Sequence, residues 1–109
     1  MNRVIATTDA DFEETVLQTS GFVAVYFWAP RSAPSRVVVP FLEELASEFA
    51  DQILITKVNT AEHQQWASMF GVMAMPTLIF FKDGVECARG QGAAPKRILR
   101  DIVEGVLAY

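Results

Sequence analysis

The stretch Phe27-Trp28-Ala29-Pro30-Arg31-Ser32-Ala33-Pro34-Ser35-Arg36 decides how the rest of the chain is read. An apolar run, Phe22 to Tyr26, leads into it, and Val37-Val38-Val39-Pro40-Phe41-Leu42 follows. A continuous apolar run bounded by turn residues predicts a strand buried on both faces. The recurrence of Val38, Phe41, Leu42, Leu45 and Phe49 predicts a helix from near Ser35 to Phe49, kinked at Pro40. The residues between form a tight turn at a strand's C-terminal end and a helix N-terminus. Free backbone N–H groups and the helix dipole favour an anion at such a place, and a thiol there ionises readily and becomes a nucleophile. This chain has serine at both candidate positions, Ser32 and Ser35.

Outward from that turn the pattern alternates between strands and helices. Towards the N-terminus, Arg3-Val4-Ile5-Ala6 reads as a short strand. Thr7, Thr8 and Asp9 offer N-cap chemistry to a helix carrying Phe12, Val16 and Leu17, which Gly21 stops. Towards the C-terminus, Ile53 to Asn59 reads as a strand after a turn at Asp51, and Gln64 to Phe70 as a short helix ended by Gly71. Val72 to Pro76 is a connection, and Thr77 to Phe81 an apolar strand. Asp83-Gly84 predicts a hairpin into Val85 to Arg89. Gly90 and Gly92 mark a break, and Pro95 opens a last helix with Ile98, Ile102, Val103 and Val106 on its face. The order βαβαβαββα implies an α/β fold with a mixed sheet covered by helices on both faces.

Composition bounds the function classes. The 109 residues are read as one domain, 1–109, with 51% apolar and 20% charged residues, a balance that excludes disorder. The net charge of −4 with nine Lys and Arg in no single stripe argues against a nucleic-acid partner. Runs such as Phe22 to Trp28 are too short to span a membrane. Met1-Asn2-Arg3 precedes only a short apolar segment, so no signal peptide is expected. One cysteine allows no internal disulfide and fits a reducing cytoplasm. One Cys and one His lack the spacing of a metal site, and no cofactor is expected.

On these residues the chain resembles thioredoxins over nearly its whole length. The resemblance is carried by Phe27-Trp28-Ala29, the Ser32-Ala33-Pro34-Ser35 spacing, Pro40, Lys57, Asn59, Met75-Pro76-Thr77, Lys82-Asp83-Gly84 and Gly92. It implies a thioredoxin fold, with a central mixed sheet of four to five strands flanked by helices, and a cis peptide before Pro76 that sets its loop beside the turn. It also implies cysteine at positions 32 and 35 in active members. There the first thiolate attacks a protein disulfide and the second thiol resolves the mixed disulfide. Implied partners are protein or peptide substrates and, for a dithiol parent, a thioredoxin reductase; a monomer is expected.

The resemblance assigns Ser32 and Ser35 to the redox positions, with Trp28, Pro34, Lys57, Tyr26 and Pro76 in support. Ala33, Ala74, Met75, Pro76 and Gly92 fall on the substrate-binding surface, where an extended peptide pairs through its backbone. This chain departs from the family at three more places. Tyr26 stands where active members usually hold a buried acid, Arg31 replaces an aromatic, and Gln91 replaces an apolar groove residue. Lys57 either takes the Tyr26 hydroxyl as a partner or snorkels from its strand end. Two readings of the serine pair stay open: a cysteine parent changed at both positions, or a natural redox-inactive binding, scaffold or chaperone module.

The remaining chemistry-bearing residues have bland readings. Cys87, on the strand after the hairpin turn, reads as a small, partly buried apolar residue. His63 falls too far from the turn to activate a serine. Trp28 reads as packed support under the turn. Met73 and Met75 read as groove rim, and Met69 as either core or rim.

Overall fold

The computed structural model describes residues 4–91 and 93–108. Five strands form one sheet in the order β1-β3-β2-β4-β5, with β1 Ile5–Ala6, β2 Phe22–Trp28, β3 Ile53–Asn59, β4 Thr77–Lys82 and β5 Val85–Gln91. The first three are parallel to one another, while β4 runs antiparallel to β2 and β5 antiparallel to β4. Helices α1 Ala33–Glu48, α2 Gln65–Met69 and α3 Lys96–Leu107 join a five-residue π-helical turn, Glu13–Leu17, around it. In that turn the Gln18 N–H reaches back to the Glu13 carbonyl at 3.0 Å, one residue further than an α-helical bond.

Alternation along β2 divides the core. Ala24 and Tyr26 face one layer, packed with Val38, Leu42 and Leu45 of α1 and with Leu99, Val103 and Val106 of α3. Val23, Val25 and Phe27 face the other, packed with Phe12, Val16, Ala67, Ile79 and Phe81. Phe12 anchors this second layer, stacked on Trp66 with centroids 4.8 Å apart. A strand buried on both faces has no polar positions, which is why β2 reads as an unbroken apolar run.

The β4–β5 hairpin turns on Asp83 and Gly84, with φ of 51° and 82°, the double left-handed turn that matches strand twist. Asp83 also reaches across to the loop before β2: its N–H donates to the Gly21 carbonyl at 2.9 Å, and its Oδ1 accepts from the Gly21 N–H at 2.7 Å.

Several elements differ from the sequence expectation. Strand β5 runs on through Gly90, read as a break, to Gln91, because both residues still pair with β4. Helix α1 begins at Ala33 instead of near Ser35, because the Ser32 side chain caps it two residues earlier. The helix expected to carry Phe12, Val16 and Leu17 is a short π-helical turn, Glu13–Leu17, closed by the Gln18 N–H on the Glu13 carbonyl. On α3, Ile98 is 38% exposed and Leu99 takes its place in the core. Ile98 starts the spacing Ile98–Ile102, but the helix faces the sheet along Leu99–Val103–Val106. Of the first strand expected at Arg3 to Ala6, Arg3 lies outside the described residues.

Candidate functional site

The turn between β2 and α1 is built from Ser35 outward. Ser35 is fully buried, and each of its polar groups has a partner. Its N–H donates to Ser32 Oγ at 3.3 Å, its Oγ accepts from the Ala29 N–H at 3.4 Å, and its carbonyl accepts the Tyr26 hydroxyl at 3.0 Å. Ser32 is half-buried and closes the turn, donating its N–H to the Ala29 carbonyl at 3.0 Å while its hydroxyl caps α1. Pro34 sits in the first turn of α1, where its missing N–H has no helical partner to lose. The Arg36 guanidinium folds back to the Pro30 carbonyl at 2.8 Å.

The connection before β4 lies alongside. Antiparallel pairing sets Thr77 opposite Phe27, one residue before Trp28 and the turn, and the Met75–Pro76 peptide is cis. Pro76 is buried, Met75 half-buried against the Phe12 layer, and Ala74 exposed. Thr77 closes the connection with a bond from its Oγ1 to the Ala74 carbonyl at 2.6 Å.

Tyr26 and Lys57 are register partners on β2 and β3, yet Tyr26 gives its hydroxyl to Ser35, not to the ammonium. Burial raises the Tyr26 hydroxyl above the ordinary phenol value, so it stays protonated and donates. Lys57 instead lies 5.6 Å over the Trp28 ring. Trp28 packs half-buried against the α1 layer, and its indole Nε1 is buried with no partner among the described residues.

An open apolar groove of about 550 Å³ adjoins the turn, lined by Ala33, Pro34, Val37, Val38, Phe41 and Ala93 to Pro95. Of the expected binding residues that are described, only Ala33 lies on it, next to Pro34, which was expected in support. Ala74, Met75 and Pro76 line the neighbouring connection, and Gly92 lies outside the described residues. The rest of its described lining, Val37, Val38, Phe41 and Ala93 to Pro95, was not among the expected binding residues. Its available signal was Val37, an apolar residue off the helical stripe, which is 61% exposed. Met73 is 95% and Met69 67% exposed, so Met69 is not core. Gln91 ends β5, exposed, opposite Thr77.

The other candidates stand apart. His63 accepts the Asp9 N–H at Nδ1, 3.4 Å, and no histidine is among the partners of either serine. Cys87 is free and half-buried on β5, and desolvation raises its thiol above the usual value. No group of three or more metal-ligating side chains is found among the described residues.

The sequence profile of the thioredoxin family matches residues 3–105, from before β1 into α3. The chain belongs to the thioredoxin family. It is 41% identical over 104 residues to thioredoxin 1 of Synechococcus elongatus, covering 95% of this chain and 97% of that one. It is 44% identical over 97 residues to the thioredoxin of Rhodospirillum rubrum, covering 89% and 93%. With the thioredoxin of Haemophilus influenzae it shares 38% over 103 residues, covering 94% and 96%. The turn between β2 and α1 carries serine at positions 32 and 35. No helix among the described residues is long and apolar enough to cross a membrane.

Proposed function

We propose that this chain is a thioredoxin-family protein whose parent activity is thiol–disulfide exchange on protein disulfides, and that it is redox-inactive as written. The observation that carries this is the pair of hydroxyls at the ends of the β2–α1 turn. In the dithiol reaction a thiolate attacks a substrate sulfur, releases a substrate thiolate and forms a mixed disulfide. The second thiol then displaces the other substrate thiolate, and both electrons pass from the protein to the substrate. Serine oxygen forms no such bond. The Ser32 hydroxyl is committed to capping α1, and Ser35 is buried with its groups paired. Cys87, half-buried on β5, has no second thiol to resolve a mixed disulfide.

In this reading Ser32 marks the nucleophile's position and Ser35 the resolver's, with Tyr26, Trp28, Pro34, Lys57 and Pro76 holding the turn. The surface of Ala33, Ala74, Met75, Pro76 and Gly92 receives an extended protein segment, which loss of the sulfurs leaves intact. A reductase partner belongs to the dithiol parent, and a cytoplasmic monomer is the accompanying assignment.

One observation favours the second reading, a natural binding, scaffold or chaperone module. Tyr26 fills the place of a buried acid and is bonded to Ser35 in a fully packed setting. No carboxylate is therefore supplied there for proton transfer.

The deciding experiment is dithiothreitol-driven insulin reduction by this chain and by its Ser32→Cys/Ser35→Cys variant. Turnover in the variant alone supports the disabled oxidoreductase. A folded variant without turnover overturns it and leaves the binding module.

A further inference from the structure

The charges of this acidic chain are unevenly placed. Residues 15–42 and 87–100 contain six of the nine Lys and Arg and none of the thirteen Asp and Glu. These two stretches supply the whole described lining of the apolar groove, Ala33 to Phe41 on one wall and Ala93 to Pro95 on the other. Three of the six cations are neutralised locally. Arg89 pairs with Glu86 at 2.7 Å, while Lys96 and Arg100 pair with Glu48 at 2.9 and 2.7 Å. Arg31, Arg36 and Arg97 have no carboxylate within ion-pair distance among the described residues. All three are exposed. Each lies within two residues of a groove residue in sequence: Arg31 two before Ala33, Arg36 next to Val37, and Arg97 two after Pro95.

The backbone adds the same sign. Helices α1, sixteen residues, and α3, twelve residues, both begin at this groove, one at Ala33 and the other just after Pro95. Each therefore presents its positive dipole end there. The apolar lining is thus flanked in sequence by three exposed arginines with no ion-pair partner among the described residues, on a protein of net charge −4.

We propose that this groove selects acidic segments of protein partners. An apolar side chain of the segment sits against Pro34, Val37 and Phe41, and flanking carboxylates meet Arg31, Arg36 and Arg97. This rests on the peptide-binding reading above and adds its selectivity. Nucleic acid is also anionic, but single strands need aromatic platforms for their bases. The described lining offers a single aromatic side chain, Phe41, and it is half-buried. Arginine is suited to carboxylates by its planar fork of donors.

The test is fluorescence polarisation with three labelled peptides that share one apolar centre and differ in flanks of Glu, Gln or Lys. The Glu peptide is expected to bind about tenfold more tightly than the Gln peptide, from several exposed ion pairs of modest individual strength. The Lys peptide should bind weakest, and the Glu advantage should vanish in about 1 M salt, where screening acts within roughly 3 Å. Arg31→Glu/Arg36→Glu/Arg97→Glu should reverse the order while leaving the thermal melt cooperative. Equal affinities that are lost in Val37→Asp would overturn the charge selectivity and keep the peptide groove. Absence of binding by every peptide would overturn both. An oligothymidylate binding as tightly as the Glu peptide would show a general polyanion surface and overturn the assignment.

Discussion

The Tyr26 hydroxyl donates to the Ser35 carbonyl at 3.0 Å, a bond buried between the centre of β2 and the first turn of α1. It joins the middle strand to the helix that carries the candidate site, within the core layer shared with α1 and α3. Tyr26→Phe keeps the ring and removes only this donor. A loss of about 1 kcal/mol is expected, as for a typical buried hydrogen bond. Denaturant titration should show a lower midpoint at an unchanged m-value.

Ser32 is the N-cap of α1, its oxygen accepting the Ser35 N–H at 3.3 Å. Ser32→Ala should lower stability by about 1 kcal/mol, the usual effect of losing a cap. Ser32→Asp should retain most of it, because a carboxylate also caps and suits the positive helix end. Urea unfolding of the two variants separates these outcomes; equal losses would mean that the cap is not what the serine contributes.

Gly84 and Gly21 make a matched pair of tests. Both hold positive φ, 82° and 84°. A Cβ on Gly84 would fall against the Leu17 backbone carbonyl oxygen, whereas one on Gly21 meets nothing within 4 Å. Gly21→Ala should cost about 1 kcal/mol for the left-handed backbone alone. Gly84→Ala adds a backbone clash and should cost about 3 kcal/mol or more. Thermal melts of the pair should differ clearly, with Gly84→Ala the lower.

Glu48 on α1 accepts from Lys96 and Arg100 of α3, and these bonds hold its carboxyl below the ordinary value of 4.5. A carboxyl depressed in the folded state stabilises it fully above the unfolded pKa. That contribution is lost as pH falls through the folded value. The stability gap between this chain and Glu48→Gln should therefore be constant from neutral pH to about pH 5. It should then close below the ordinary carboxylate value and shrink with added salt, because the group is exposed. A gap independent of pH would assign the effect to packing of the side-chain stem.

Much of the fold was legible because its elements differ in period. β2 and β3 occupy the spans read for them, since a doubly buried strand must be apolar at every position and turn residues bound it. The Asp83-Gly84 hairpin was legible because few residue pairs tolerate two positive φ angles. Ile98 was misplaced because the spacing fits both Ile98–Ile102 and Leu99–Val103. Which of the two faces inward depends on how α3 lies across α1 and β5. The resemblance offered Lys57 as a partner for the Tyr26 hydroxyl, but the approach of α1 brings the Ser35 carbonyl within reach.

By itself the sequence determined the family, the strand–turn–helix at residues 22–48 and the absence of sulfur at positions 32 and 35. Each is a property of residue type and local spacing. Only the tertiary structure decided that Ser35 is buried with all its groups paired, and that residues 93–95 close a groove against Pro34 and Val37. It also brought two distant stretches, 33–41 and 93–95, together on one apolar groove. These depend on where α3 docks, which is set by long-range packing against the sheet and α1 and is encoded in no single window of the chain.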